Sequence, residues 1–282
     1  MKKNTALITG SEGFVGPNLK RELEKNDYEV VGLDFQGNPD FKCDITDRES
    51  LSKVINSVKP NFIFHLAGFS SPSKSFEKPE LCFKINVEGT RNLLDISKKI
   101  EGCRVLIVSS GEVYGNPEYL PIDEKHPLNP NSPYGESRVE QEKIALGYRN
   151  NIIVRPFNHT GPDQPPIFAI PSFRKQIAEA KNGGVIYTGN LEVVRDFSDV
   201  VDVVHAYRVL LEKGELGEIY NLGSGKGYRL RDVIESLIKD SGKDLRIETD
   251  PEKYRKIDLS KLICDNTKIK NLGVNFRNPF NV

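Results

Sequence analysis

Short apolar runs alternate with helical patterns along the first two-thirds of the chain. Thr5–Thr9, Glu29–Asp34 and Arg104–Val108 are apolar-rich runs of strand length. Between them, apolar residues recur three and four positions apart, as within Phe14–Asn26, and this spacing predicts helices. Strands of this kind separated by helices are typical of a parallel sheet that is covered on both faces. The pattern therefore predicts an α/β protein with a doubly wound parallel sheet.

The alternation continues to about residue 160. Further helices are predicted at Leu51–Val58, Glu88–Lys99 and Tyr134–Tyr148, and further strands at Asn61–His65 and Ile152–Val154. These elements complete a first domain, for which we predict the boundaries 1–160.

Beyond residue 160, pairs such as Gly161-Pro162 separate shorter strands and helices. This change predicts a smaller C-terminal lobe over residues 161–282. Val185–Tyr187 and Ile219–Leu222 have the composition of strands that could return to the main sheet. The two parts are therefore expected to be partly interwoven.

Composition narrows the classes of function. The 282 residues carry 40 basic and 40 acidic side chains, which argues against a nucleic-acid partner. No apolar run approaches the roughly 20 residues of a membrane helix, so we expect no membrane partner. The four cysteines are dispersed without metal-ligand spacing, and so are the four histidines. We expect buried thiols in a reducing cytoplasm and no metal site.

Three glycines follow the first predicted strand and open the first helix. Gly10, Gly13 and Gly16 have the spacing G-x-x-G-x-x-G. Glycines permit a tight turn, and the N-terminus of the helix can bind a pyrophosphate. Asp34 ends the second strand, where a carboxylate accepts a hydrogen bond from a ribose 2′-hydroxyl and repels a 2′-phosphate. The arrangement predicts a Rossmann domain that binds NAD, with NADP as the alternative.

Ser110, Tyr134 and Arg138 form a second group of candidate residues. Ser110 lies just past an apolar strand, at the sheet edge where ligands bind in open α/β folds. Ser132-Pro133 predicts a helix start, so Tyr134 and Arg138 share one helical face. A neighbouring cation can make a phenol an effective acid–base catalyst because it stabilises the phenolate.

Many further motifs occur in order along the chain: TGSEGFVG, CDITD, HLAG, KINVEGTRNLL, SSGEVYG, SPYGESR, RPFNHTGP, VRDFSDVVDVVHAY and YNLGSG. Over nearly its whole length the chain resembles the extended short-chain dehydrogenases/reductases that act on nucleotide sugars. RPFNHTGP, with Arg195 and Arg255, most resembles the GDP-6-deoxy-4-keto-mannose reductase branch.

The resemblance implies that residues 161–282 mainly bind the nucleotide-sugar substrate, and it implies a role for each matching position. Tyr134 would exchange a proton with the sugar C4 oxygen, which Ser110 would hold. Asp44 would contact the adenine, and Asn86 would support the site. The cofactor-binding set would be Gly10, Gly13, Phe14, Val15, Gly16, Asp34, Asp44, Ile45, Leu66, Ala67, Gly68, Asn86, Tyr134 and Arg138. The substrate-binding set would be Ser70, Asn158, Arg195 and Arg255.

The implied activity is reduction of the C4 ketone of an NDP-4-keto-6-deoxy sugar, GDP-linked, by an enzyme that forms homodimers as its relatives do. A 4-epimerase or a 4,6-dehydratase on the same scaffold remains open. Glu112 occupies the position of the glutamate that removes the C5 proton in dehydratases. The aspartate that precedes it in dTDP-type enzymes is Gly111 here, so we favour a role for Glu112 in hydrogen-bonding sugar hydroxyls.

Arg138 departs from the family pattern, which has lysine at this position. Arginine keeps the positive charge but is bulkier and cannot pass a proton through its side chain. Three interpretations follow: a working variant, a slowed enzyme, or a nucleotide-sugar-binding protein that has lost turnover.

Overall fold

The computed structural model describes residues 3–254, 259–277 and 280. The strands are β1 Thr5–Thr9, β2 Glu29–Asp34, β3 Phe41–Lys42, β4 Phe62–His65, β5 Arg104–Val108, β6 Asn151–Pro156, β7 Asn158–Thr160, β8 Val185–Thr188, β9 Val194–Asp199, β10 Ile219–Leu222, β11 Gly227–Arg229, β12 Arg246–Thr249 and β13 Lys261–Leu262. The α-helices are α1 Gly16–Lys25, α2 Arg48–Val58, α3 Pro72–Ser75, α4 Pro79–Phe83, α5 Gly89–Ser97, α6 Pro133–Ala145, α7 Ala169–Glu179, α8 Val200–Lys213, α9 Leu230–Asp240 and α10 Thr267–Lys270. Short 3₁₀ turns occupy Gly111–Tyr114 and Pro251–Lys253, and Lys84–Glu88 is a π-helical turn.

Seven parallel strands form the main sheet in the order β10-β6-β5-β4-β1-β2-β3. The order reverses between β1 and β4, because the chain builds outward from β1 first on one side and then on the other. Ligands bind outside the carboxyl ends of the strands at such a switch point. The predicted Rossmann-type α/β fold is confirmed.

Helices cover both faces of this sheet and bury its apolar side chains. On one face, α1 and α8 contribute Leu19, Leu23 and Tyr207 to a core that includes Ile8 of β1. On the other face, α2 and α5 form a second core around Leu7. Strands that are buried from both sides read as nearly continuous apolar runs, which explains the sequence pattern.

The C-terminal part contains two smaller sheets. One has the order β11-β9-β13, with β7 also paired to β9, and in the other β8 pairs with β12. Of the two segments expected to return to the main sheet, Ile219–Leu222 does so as β10. The expectation for Val185–Tyr187 is wrong, because β10 takes the place beside β6 and β8 instead pairs with Arg246–Thr249.

All four cysteines are buried and unpaired, as predicted. Within the described residues, no helix has the length and apolar character needed to cross a membrane.

Candidate active site

The glycine turn forms a cradle at the carboxyl end of β1. Gly10 has φ +76°, and a Cβ there would lie 2.7 Å from the backbone nitrogen of Ala67. A Cβ on Gly16 would lie 2.2 Å from the Ser11 carbonyl oxygen. Among the described residues, no side chain caps the N-terminus of α1. The backbone N–H groups in the first turn of this helix are therefore available as donors at the cradle. These features fit the pyrophosphate of a dinucleotide.

Asp34 lies beside the cradle at the end of β2 and is 5% exposed. Its Oδ2 accepts from the backbone N–H of Glu12 at 3.0 Å, and its Oδ1 accepts from that of Gln36 at 3.2 Å. Carboxylate oxygens have further lone pairs, so Asp34 can also accept from a ribose hydroxyl. The hydrogen bond with Glu12 connects Asp34 directly to the glycine turn, which precedes Asp34 in the sequence.

The remaining predicted cofactor residues line or support the same side of the sheet. Asp44 is exposed and accepts from the backbone and hydroxyl of Thr46 at 2.8 and 2.9 Å. Leu66, Ala67 and Gly68, which we call the wall, follow β4 and are partly exposed.

Asn86 lies beneath this wall and is fully buried. Its Oδ1 accepts from the backbone N–H of Phe69 at 2.8 Å, and its Nδ2 donates to Ser137 at 2.9 Å. Asn86 therefore ties the wall to α6 from below, which places it in support of the cleft.

Ser110 and Glu112 lie in the 3₁₀ turn after β5. The Ser110 hydroxyl oxygen accepts from the backbone N–H of Glu112 at 3.2 Å and caps the turn. Gly135 lets the start of α6 approach this turn, since a Cβ there would lie 2.9 Å from the Glu112 carbonyl oxygen. Tyr134, the neighbour of Gly135, is thereby brought to the turn that carries Ser110.

Arg138 lies one turn along α6 from Tyr134 and is 4% exposed. Its guanidinium carbon is 5.2 Å from the centroid of the Tyr134 ring. Nη1 donates to the Val108 carbonyl at 3.0 Å and to Gln141 Oε1 at 2.9 Å, and Nη2 donates to the Phe69 carbonyl at 3.4 Å. The cation is thus fixed beside the phenol.

A chain of hydrogen bonds links this arginine to β1. Thr90 donates to the Asn86 carbonyl at 2.7 Å, so its oxygen accepts from both Gln141 Nε2 at 2.8 Å and His65 Nε2 at 2.9 Å. His65 Nδ1 then accepts from Thr9 at 2.8 Å. The ring is neutral, because burial, with the Arg138 charge adding to it, lowers the pKa of His65 to about 3.

A buried ion pair supports the 3₁₀ turn from the opposite side. Arg155 of β6 donates to both carboxylate oxygens of Glu142, to Oε1 at 3.0 Å and to Oε2 at 2.6 Å, and both side chains are 3% exposed. Ser109 donates to the same carboxylate at 2.5 Å, and Arg155 donates to the Tyr114 hydroxyl at 2.8 Å. These contacts hold both ends of the segment that carries Ser110 and Glu112.

The predicted substrate residues come from both parts of the chain. Ser70 is exposed after the wall, and Asn158 is half-buried at the start of β7. Arg195 lies on β9 and donates to the Val194 carbonyl at 3.0 Å. Arg255 lies outside the described residues.

Sequence reasoning did not single out Gln141 or the buried pair formed by Glu142 and Arg155. Gln141 follows Arg138 by three residues, a helical spacing that places both side chains on one face. That spacing was the available signal. The partner of Glu142 lies on another element, and nothing in the local sequence indicates it.

The sequence matches the family described as GDP-mannose 4,6 dehydratase over residues 7–277. The GDP-6-deoxy-D-mannose reductase of Pseudomonas aeruginosa is 35% identical over 263 residues, which cover 89% of this chain and 84% of that protein. The structure of RMD from Pseudomonas aeruginosa, complexed with NADPH, has a TM-score of 0.87 at 30% identity and covers 99% of this chain and 95% of that chain. UDP-glucose 4-epimerase from Thermus thermophilus, in complex with NAD, has a TM-score of 0.86 at 26% identity, with coverage of 96% and 93%.

These similarities agree with the predicted cofactor class, NAD or NADP. The expectation of an enzyme of nucleotide-sugar chemistry is confirmed at the level of the family. By its sequence match and by its fold, the chain belongs to the GDP-mannose 4,6-dehydratase family of extended short-chain dehydrogenases/reductases.

Proposed function

We propose that the protein reduces the C4 ketone of an NDP-4-keto-6-deoxy sugar, with a GDP-linked sugar as the substrate. The observation that supports this most is the pairing of Tyr134 with a buried guanidinium 5.2 Å from its ring, next to the turn that carries Ser110. A proton donor, a hydrogen-bond donor and a fixed cation are the groups that a carbonyl reduction requires.

NAD(P)H bound at the glycine turn would supply the hydride to C4. Tyr134 would give its hydroxyl proton to the C4 oxygen as negative charge develops there, and Ser110 would donate a hydrogen bond to the same oxygen. Arg138 would stabilise the phenolate left on Tyr134. Because these side chains are nearly buried, their electrostatic effect is larger than it would be in water.

For the nucleotide part of the substrate, we propose that Arg195 and Arg255 bind the diphosphate, since guanidinium groups match phosphate oxygens. Ser70 and Asn158 would contact the rest of the substrate. Asp34 would favour NADH over NADPH, because its carboxylate would face the 2′-phosphate. We further propose that the protein acts in the cytoplasm as a homodimer.

A second candidate is a 4-epimerase or 4,6-dehydratase, in which the cofactor is reduced and reoxidised within one cycle. The position of Glu112 supports it, because this half-buried carboxyl lies in the same turn as Ser110. The similarity to a UDP-glucose 4-epimerase supports it as well.

The test is to incubate the purified protein with GDP-4-keto-6-deoxy-mannose and either NADH or NADPH. We expect oxidation of the cofactor together with a new 6-deoxy sugar. Tyr134→Phe should lower the rate by about 10²–10⁴-fold with cofactor binding retained. The matched control is Tyr148→Phe, which removes a hydroxyl that binds Asp95 outside the site.

Absence of both cofactor oxidation and sugar reduction would refute the reductase assignment. Conversion of a nucleotide sugar without net use of cofactor would favour the second candidate. Binding of nucleotide sugar without any turnover would indicate that chemistry was lost with the family lysine.

A further inference from the structure

The guanidinium of Arg138 is held by acceptors from three parts of the fold. These are the Val108 carbonyl at the end of β5, the Phe69 carbonyl after β4, and Gln141 Oε1 on α6. The three acceptors lie around a planar group. A lysine carries all its donors on one atom and cannot reach them in the same way. The surroundings of residue 138 therefore suit an arginine.

Gly68 provides the space for this larger group. A Cβ at position 68 would lie 2.7 Å from Arg138 Nη2 and 3.2 Å from Nη1. It would also lie 3.0 Å from Asn86 Oδ1. An alanine would thus force the guanidinium to move, whereas a lysine at position 138 has no atoms corresponding to the terminal nitrogens.

Among the residues that the structure describes, the charge of Arg138 has no anionic partner. Its three acceptors are neutral, and no carboxylate among residues 3–254, 259–277 and 280 forms a salt bridge with it. One turn further along the same helix, Glu142 neutralises Arg155 at 2.6 Å. A buried cation without a counter-ion stabilises a negative charge that forms nearby. The Tyr134 phenolate would be such a charge.

Gln141 keeps this arrangement in place. Its Nε2 donates to Thr90 at 2.8 Å, and this bond turns its Oε1 toward the guanidinium. Thr90 is itself fixed, because it donates to the Asn86 carbonyl and accepts from His65. A glutamate at position 141 would have nearly the same shape but would neutralise Arg138.

The other titratable groups around the pair come from three neighbouring elements and the 3₁₀ turn. Burial lowers the pKa of His65 on β4, and the Arg138 charge lowers it further. Burial raises the pKa of Cys82 on α4, and the hydrogen bond with Ser137 and the Arg138 charge oppose this rise. Burial also raises the pKa of Tyr207 on α8. Tyr134 raises it further, and the Arg138 charge lowers it. Near neutral pH these three are uncharged, and Glu112 is the acidic group carried by the turn.

We propose that Gln141 and Gly68 are positioning residues that hold the Arg138 charge fixed and uncancelled beside Tyr134. Through Arg138 they stabilise the phenolate that forms when the Tyr134 proton passes to the substrate oxygen. This inference rests on the proposed reductase function, and it identifies Arg138 as a working replacement for the family lysine.

Gln141→Glu tests the proposal with almost no change in shape. We expect turnover at neutral pH to fall about 10–100-fold, because one unit of acidity corresponds to a tenfold change. The pH at which the reduction rate declines on the alkaline side should rise by about one unit. Cofactor binding should change by less than about twofold. Gln176→Glu on α7 is the matched control and should leave rate and pH profile unchanged. An unaltered rate and profile in Gln141→Glu would overturn the proposal.

A second set of variants decides the matter if Gln141→Glu does not fold. Gly68→Ala should lower turnover at least about tenfold when residue 138 is arginine. The loss should be clearly smaller in the Arg138→Lys background, because the guanidinium that the new Cβ would displace is absent there. Equal losses in the two backgrounds would refute the role of Gly68.

A measurement without substrate separates this inference from the proposed function. The ultraviolet absorbance of ionised Tyr134 is obtained as the difference between each protein and its Tyr134→Phe counterpart. We expect Gln141→Glu to move the midpoint of this signal to higher pH. If the keto sugar is not reduced, the function fails while this titration still tests Gln141. An unmoved midpoint would count against Gln141 alone.

Discussion

Acidification should destabilise the fold through His65. This ring is 1% exposed and both of its nitrogens have partners, Thr9 at Nδ1 and Thr90 at Nε2. Burial, followed by the charge of Arg138, lowers the pKa of His65 from 6.5 to about 3. In the unfolded chain the same ring would titrate near its ordinary value. Between these two values the unfolded state therefore binds a proton that the native state does not bind.

The sign and size of the effect follow from this difference. Because the unfolded state binds more protons between about pH 3 and pH 6.5, the free energy of unfolding falls as the pH is lowered through that range. Each pH unit corresponds to about 1.4 kcal/mol. At pH 5, which is about one and a half units below the ordinary value, His65 alone should remove about 2 kcal/mol relative to pH 8.

Urea unfolding at pH 8 and pH 5 measures this loss. His65→Gln cannot be protonated, so the difference between the two pH values should shrink by about 2 kcal/mol, even if the variant is less stable at pH 8. Burial also lowers the pKa of His159, and its contribution remains in both proteins. His205→Gln is the control, because that side chain is 40% exposed. An equal pH dependence in the natural protein and in His65→Gln would refute the reasoning.

Two further predictions concern the buried pair and the cofactor. Glu142→Gln should lower the free energy of unfolding by about 3–5 kcal/mol, because it leaves Arg155 charged and buried. Glu140→Gln, which breaks the exposed pair with Lys143, should lower it by at most about 1 kcal/mol. Urea unfolding at neutral pH compares the two variants, and similar losses would contradict the argument. Asp34→Asn should raise the affinity for NADPH relative to NADH, because it removes a negative charge from the ribose site. Fluorescence titration with both cofactors gives the ratio of the two affinities. An unchanged ratio would show that Asp34 lies away from the ribose.

The sheet and the glycine turn could be predicted because their signals are local. The apolar runs at Thr5–Thr9 and Arg104–Val108 are buried from both sides, and burial of this kind leaves a continuous pattern in the sequence. Gly10 needs a positive φ and a close approach to Ala67, and only glycine meets both demands. Such requirements can be inferred without knowledge of distant contacts.

The pairing of β8 could not be predicted in this way. Val185–Thr188 has the composition of a strand, but its partner Arg246–Thr249 lies about 60 residues further on and has an exposed, polar pattern. Composition indicates that a segment can pair, whereas the choice of partner depends on which sheet edge is free. The same limit applies to Gly68, whose importance depends on an arginine that lies 70 residues away.

Helix α6 shows why Gln141 and Glu142 were not singled out from the sequence. Its buried residues include four with polar or charged side chains: Ser137, Arg138, Gln141 and Glu142. An analysis based on hydrophobic period would assign such a face to solvent. These side chains can be buried because each has partners on other elements, such as Val108 for Arg138 and Arg155 for Glu142. Burying polar groups costs free energy unless those partners are in place. A polar buried face is therefore expected where a charge or a proton transfer is needed. Helix α6 therefore departs from the apolar pattern at the residues that surround the proposed proton transfer.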